Sequence, residues 1–245
     1  LMTDRHDWST AEVISAYHWV AAWHAMLRIA LEAMLAANDL MPDGRSIHVL
    51  VTNSDGQGNA WGSHLDFLLT RQCWDSIFLR KLHHMLYLAS YQASSIVFTG
   101  QGKVGAENRA PAVDYQLSQR ADFFETLTGA QTTSNRPLVN SRDEGLCGKH
   151  PELARLHCIF YDSNLCHVAN LLKVGVMQLL LGMIEAERIN PMLILDDPVA
   201  AVVQWSHDPS LRARVRTASG QQVTALELQL RLLEEAQRFA DGGGF

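Results

Sequence analysis

Cysteine is scarce and unpatterned in this chain of 245 residues. Cys73, Cys147, Cys158 and Cys166 form no CxxC pair, which argues against a disulfide framework and predicts reduced thiols. Basic charge is also thin, with 20 Lys and Arg against 26 Asp and Glu for a net charge of −6. A protein with that balance lacks the broad positive footprint that duplex nucleic acid requires. No stretch supplies the roughly 20 consecutive apolar residues that span a bilayer. The opening Leu1-Met2-Thr3-Asp4-Arg5-His6-Asp7 has no basic-then-apolar signal pattern. A cytoplasmic protein, neither secreted nor inserted in a membrane, is the expectation. A GxSxG elbow, a Walker loop and an HExxH pair are all missing, so three common hydrolytic and nucleotide-binding devices are not at work. What remains is 47% hydrophobic and 19% charged residues, the make-up of a globular protein of one large domain or two small ones.

Helical signals open and close the chain. Ser9-Thr10-Ala11-Glu12 reads as a capping box, predicting a helix from about Ser9 that ends at Asn38 and Pro42. Its apolar positions run nearly all round, so partners on several sides are expected. Ile47–Val51 reads as a strand, followed by the polar turn Asn53-Ser54-Asp55-Gly56-Gln57-Gly58 and a second strand with Trp61, Gly62, His64 and Phe67. Helices are predicted over about Asp75–Tyr91, Leu165–Arg188, Pro198–Trp205 and, behind the capping box Thr224-Ala225-Leu226-Glu227, as far as Gly242. Between them, Ile96–Phe98, Leu138–Asn140 and Leu156–Phe160 read as strands. A small hairpin is predicted around Ser219-Gly220.

Three local patterns invite chemistry. Gly100, Gly102 and Gly105 make a formal G-x-G-x-x-G. The residues that follow, Glu107–Pro111, are a poor helix, and a dinucleotide site needs a helix N-terminus there. A plain glycine turn is the better reading. Cys147, His150, His157 and Cys158 have zinc-ligand chemistry but the wrong spacing. His157 and Cys158 are adjacent and on a strand would point to opposite faces. Two polar clusters, Asn53–His64 and Asn140-Ser141-Arg142-Asp143-Glu144, interrupt apolar context and read first as turns with solvated charges.

Several longer motifs change the weight of those clusters. The runs Tyr115–Thr126, Arg136–Glu144, Arg155-Leu156-His157, Asp162-Ser163-Asn164 and Leu171–Gly175 resemble hallmark segments of the Pup ligase and Pup deamidase/depupylase family. Asn53–His64 is similar to that family's Asn-x-Asp-x-x-Gly-x-x-Tyr-Gly-x-His segment, and all the matches fall in the family's order. The resemblance implies an α+β fold related to glutamine synthetase, with a curved antiparallel sheet packed with helices. Residues 1–241 would be the central part of that catalytic domain and 242–245 a flexible tail. It also implies ATP and Mg2+ as cofactors, and Pup (a small ubiquitin-like tag) and pupylated proteins as partners.

Residue by residue, His64 resembles a histidine that contacts nucleotide phosphates, Arg142 a phosphate-clamping arginine and Arg120 a substrate or nucleotide contact. Glu144 resembles a magnesium-binding or supporting carboxylate. Two departures stand out: Leu65-Asp66-Phe67-Leu68 replaces the family's Glu-Asn-Tyr-Leu, and Gly145-Leu146 replaces Pro-His. The family's Gly-x-Glu-x-Glu-Tyr-Gly strand and its Asp-His-Ala-His-Pro-Glu segment, with the catalytic aspartate, do not occur in these residues. The chain thus looks like a fragment or truncated homologue that is inactive alone. The implied activity is ATP-dependent deamidation of Pup and its removal from lysines. Pup–protein ligase and a non-catalytic Pup-binding homologue are the alternatives.

Overall fold

The computed structural model describes residues 15–42, 44–143 and 151–244, which separate into two compact units, Leu1–Val51 and Thr52–Phe245. Among the described residues of the first unit, helix α1 (Ala16–Asp39) follows an extended Ser15. The capping box expected at Ser9–Glu12 lies outside the described residues. Trp19 and Trp23, one turn apart, stack with parallel rings 6.3 Å apart. The predicted strand Ile47–Val51 is not one. Its backbone turns to α1: the Asn38 amide both accepts from Ile47 N–H and donates to Ile47 O, and Val49 N–H meets Met34 Sδ. A strand is defined by its ladder, and here side chains of the helix take the bonds a neighbouring strand would make.

The second unit is built around a buried helix. After strand β1 (Leu65–Thr70) come a short α2 (Arg71–Asp75), a π turn (Ser76–Arg80) and then α3 (Leu82–Thr99). The single helix predicted over Asp75–Tyr91 is therefore broken at Lys81, where φ is −128° and ψ 85°. It also runs eight residues further than predicted and absorbs Ile96–Phe98, which the sequence marked as a strand. A short apolar run carries no periodicity to separate buried strand from buried helix. Serine and threonine fit inside α3 because their hydroxyls return to backbone carbonyls of the preceding turn: Ser90 to Leu86 O, Ser94 to Ser90 O, Thr99 to Ser95 O. Helices α4 (His167–Glu185), α5 (Pro198–Ser206) and α6 (Ala225–Asp241) pack on α3. Each predicted signal at their starts is present: Asp197 accepts from Val199 and Ala200 N–H ahead of Pro198, and Thr224 and Glu227 form a reciprocal capping box. By length and composition alone, α1 and α4 are long and apolar enough to cross a membrane. In α4 that apolar surface is core, with Met177, Leu180, Leu181, Met183 and Ile184 buried.

The remaining strands pair in twos. Strand β1 lies antiparallel to β6 (Leu153–Cys158), and β2 (Lys103–Val104) lies antiparallel to β3 (Tyr115–Gln116). Strands β4 (Thr126–Gly129) and β5 (Pro137–Asn140) run parallel. The predicted hairpin is β7 (Val215–Arg216) with β8 (Gln222–Val223). Helices mixed with small two-stranded sheets make this an α+β protein. Gly102 and Gly105 sit at φ 76° and 79° around β2, so the glycine cluster is a turn and no helix follows it. At the C-terminal end the glycines close α6: Gly243, at φ 75°, donates to Ala240 O and Gly244 to Phe239 O. That is the bond pattern of a Schellman cap.

Candidate functional site

Alternation along β1 and β6 divides their residues between two faces. Leu65 and Leu69 face inward with Ala154, Leu156 and Cys158. The register sets Asp66 opposite His157 and Leu68 opposite Arg155, so a carboxylate, an imidazole and a guanidinium share the outer face. His157 Nδ1 lies 2.7 Å from Asp66 Oδ1, and Arg155 reaches the same carboxylate at 3.4 Å. Burial alone would raise the Asp66 pKa. The His157 hydrogen bond and the charges of His157, Arg155 and His64 outweigh it and hold the carboxyl below its usual value. The His64 ring stands edge-on to His157, centroids 5.2 Å apart at 87°. Beyond Arg155 the row continues: Asp143 accepts from Arg155 N–H and pairs with Arg71, which also donates to Leu153 O. Arg142 is next in the chain, half-buried, its N–H held by Asn140 Oδ1 at 2.9 Å.

The loop that delivers His64 is tied at both ends. Asn53 is fully buried, its Oδ1 accepting from Ser163 N–H and its amide and backbone N–H meeting Gln119 Oε1. Asp55 accepts from Gln57 and Asn59 N–H, an Asx-type closure, and Glu107 takes Gly58 N–H and the Ser54 hydroxyl. Ser63 N–H reaches Tyr161 O at 2.9 Å.

The structure separates the four residues singled out from the sequence. His64 lies with the polar row through its edge contact with His157, and Arg142 precedes Asp143 in the chain. Glu144 lies outside the described residues, as do Cys147 and His150 of the zinc quartet. His157 and Cys158 do take opposite faces, His157 toward Asp66 and Cys158 inward to the Gln92 amide. Arg120 is interior, only 2% exposed, its guanidinium wedged against Gly62 and over the Phe124 ring at 5.8 Å. Burial lowers its pKa to about 9. In that place it backs the His64 loop from inside.

Much of what looked like site motif is scaffold. Asp162, buried to 2% exposure, accepts from Gln101 and Gln119 N–H and from the Ser118 hydroxyl, and its backbone oxygen accepts from Lys173 Nζ at 2.7 Å. Burial raises the Asp162 carboxyl and pulls the Lys173 amine down to about 7. Asp122 gathers Glu107 N–H, the Gln116 amide, His207 and Lys103. Two open cavities, of about 540 and 390 Å³, flank this second cluster beside Asn108, Arg109 and Glu125 and beside Ser54, Lys103 and Gln119. Neither includes the His64 row. Sequence reasoning missed Asp66, Arg155, Asp143 and Arg71 as members of that row. The two-residue spacings His64–Asp66 and Arg155–His157 were the available signal, since strand neighbours two apart share a face.

A row of imidazole, guanidinium and carboxylate groups thus lies along the outer face of β1 and β6 on an α+β scaffold. The chain belongs to the Pup-ligase protein family, whose model matches residues 3–244. It is 35% identical to the depupylase of Acidothermus cellulolyticus, over 96% of this chain and 45% of that protein. It is 36% identical to the Pup–protein ligase of Kocuria rhizophila, over 97% of this chain and 52% of that protein. Among solved structures, the Pup ligase PafA in complex with ADP superposes with TM-score 0.75 at 27% identity, over 96% of this chain and 50% of that one. The chain thus spans about half the length of the curated relatives it matches.

Proposed function

We propose that this chain is part of an ATP-dependent, magnesium-assisted enzyme of the cytoplasmic Pup pathway, one that deamidates Pup and removes it from substrate lysines. The observation that carries the reading is the family match along the whole chain together with the row His64–Asp66–His157–Arg155 and the adjacent Arg142. The donor chemistry suits a nucleotide. Imidazole and guanidinium N–H groups donate to phosphate oxygens, and the planar fork of Arg142 suits two-point contact. Glu144 supplies the hard oxygen that magnesium prefers. When bound, magnesium neutralises phosphate charge. His64 and Arg142 then orient the phosphates, while Arg120 and the bonds of Asn53 hold the His64 loop still.

The replacement of Pro-His by Gly145-Leu146 and the Phe160–Asn164 run support the hydrolase branch. A Pup ligase is the second reading, supported by the ligase relative and by the superposition on the ligase structure. Incubating the complete polypeptide with ATP, magnesium and glutamine-ended Pup separates the two when run beside glutamate-ended Pup with a lysine-bearing acceptor. Ammonia release in the first reaction is the expected result. Conjugate in the second without ammonia in the first assigns the protein to the ligase branch.

A further inference from the structure

Beyond β6 the backbone of Tyr161–Asn164 turns its polar groups alternately to two sides, as a strand does. Tyr161 O accepts from Ser63 N–H, and Ser163 N–H donates to Asn53 Oδ1. One side thus holds both ends of the loop that leads to His64. On the other side the acceptors are Asp162 O and Asn164 O, and their donors are two side chains of α4. Lys173 Nζ reaches Asp162 O at 2.7 Å and Asn170 Nδ2 reaches Asn164 O at 2.9 Å. The two donors stand three residues apart on one face of the helix. Both are buried, Lys173 completely, so they act on the segment from behind. A buried lysine is costly to keep and needs a partner to justify it.

We infer that Lys173 and Asn170 are positioning residues: they take the place of a neighbouring strand behind Tyr161–Asn164 and so hold both ends of the Asn53–Ser63 loop, and with it His64, in place for the ligand. The inference rests on the nucleotide reading above and adds to it two residues of α4 that act only through the backbone. The clamp can be removed without unpairing a charge. Burial pulls the Lys173 amine down to about 7, so it is partly uncharged at neutral pH. The Asp162 carboxyl draws on Gln119 and Gln101 N–H, the charge of Arg120 and the Ser118 hydroxyl. Lys173→Met therefore takes one donor from Asp162 O and fills a similar volume.

The test uses the complete polypeptide, its Lys173→Met and Asn170→Ala variants, and ADP as the probe. In the free protein, amide hydrogen exchange at Ser63 and Ser163 is expected to quicken about tenfold in each variant, roughly what one lost hydrogen bond is worth. Exchange at Thr217 N–H, which is bonded to Gln221 O in the remote hairpin, is expected to keep the parent's rate. ADP affinity is expected to fall in the same variants, by no more than exchange quickens, because only the ordered fraction of the loop binds. Unchanged exchange at Ser63 and Ser163 overturns the inference. Equal quickening at Thr217 also overturns it, since both residues would then be general stabilisers of the fold. An affinity that holds at the parent's value in a loosened variant, or that falls further than exchange accounts for, overturns the positioning role. If Lys173→Met does not fold, Asn170→Ala decides by the same comparison. If the parent does not bind ADP while the two amides respond as expected, the nucleotide reading fails and the clamp on the loop stands.

Discussion

Gly62 shows how a single missing side chain places another residue. A methyl group there would fall inside the Arg120 guanidinium, which is itself hemmed in by Phe124 and has nowhere to swing. Gly62→Ala should therefore cost about 1–3 kcal/mol through overpacking, read as a lowered urea midpoint, and should loosen the loop that carries His64. At Arg142 the expected effect is on activity. In the complete enzyme, Arg142→Lys keeps the charge but loses the fork, so turnover should fall about tenfold to a hundredfold with the fold intact. Unchanged turnover and ATP affinity would make it an ordinary surface cation. The buried Asp122 carboxylate links stability to pH. Burial pushes its pKa up, but the bonds from Glu107 N–H, Gln116 and His207 and the charge of Lys103 win and hold it below 3.8. Its contribution is therefore present above about pH 3.8 and is lost as pH falls through the lowered folded value. Asp122→Asn should lower the urea midpoint near pH 7, and the gap to the parent should close on acidification through that window. A gap that stays constant down to pH 3 would contradict this.

Elements of this protein begin where local chemistry says so and end where packing says so. The Thr224 box is legible from four residues because each member satisfies a neighbour's free N–H, with no help from elsewhere. Thr224→Ala should accordingly cost about 1 kcal/mol, measured as a fall in unfolding free energy without change in the helix content of the native state. Helix α3 is the opposite case. Its stretch Tyr87–Ile96 is buried all round, polar and apolar residues alike, so neither a helical nor a strand period of hydrophobicity survives in the sequence, and the contacts of α4, α5 and α6 settle the matter. The Ile47–Val51 segment differs from its expected strand for a related reason: its β-branched and apolar run suits a strand, but pairing is a tertiary event and Asn38 supplies it from a helix.

At the scale of the whole molecule, the division at Val51 and Thr52 makes a direct claim. The core helix α3 and the three helices packed on it all lie beyond the boundary. A polypeptide of residues 52–245 should thus fold by itself and unfold in one cooperative transition with a midpoint within a few degrees of the parent's. Loss of cooperativity, or a molten near-ultraviolet spectrum, would show that residues before Thr52 complete the core.

The sequence by itself determined the helix caps, the hairpin, the glycine turn and, through motifs in order, the family. Each of these depends on neighbours within a few residues, or on a pattern long enough to be specific. Only the tertiary structure decided that Asp66 and His157, 91 residues apart, are partners across a ladder, and that Arg120 belongs to the interior. It likewise made Asp162 and Lys173 a buried lock. Register and burial are set by which face of each strand meets the core, and no local spacing encodes that choice.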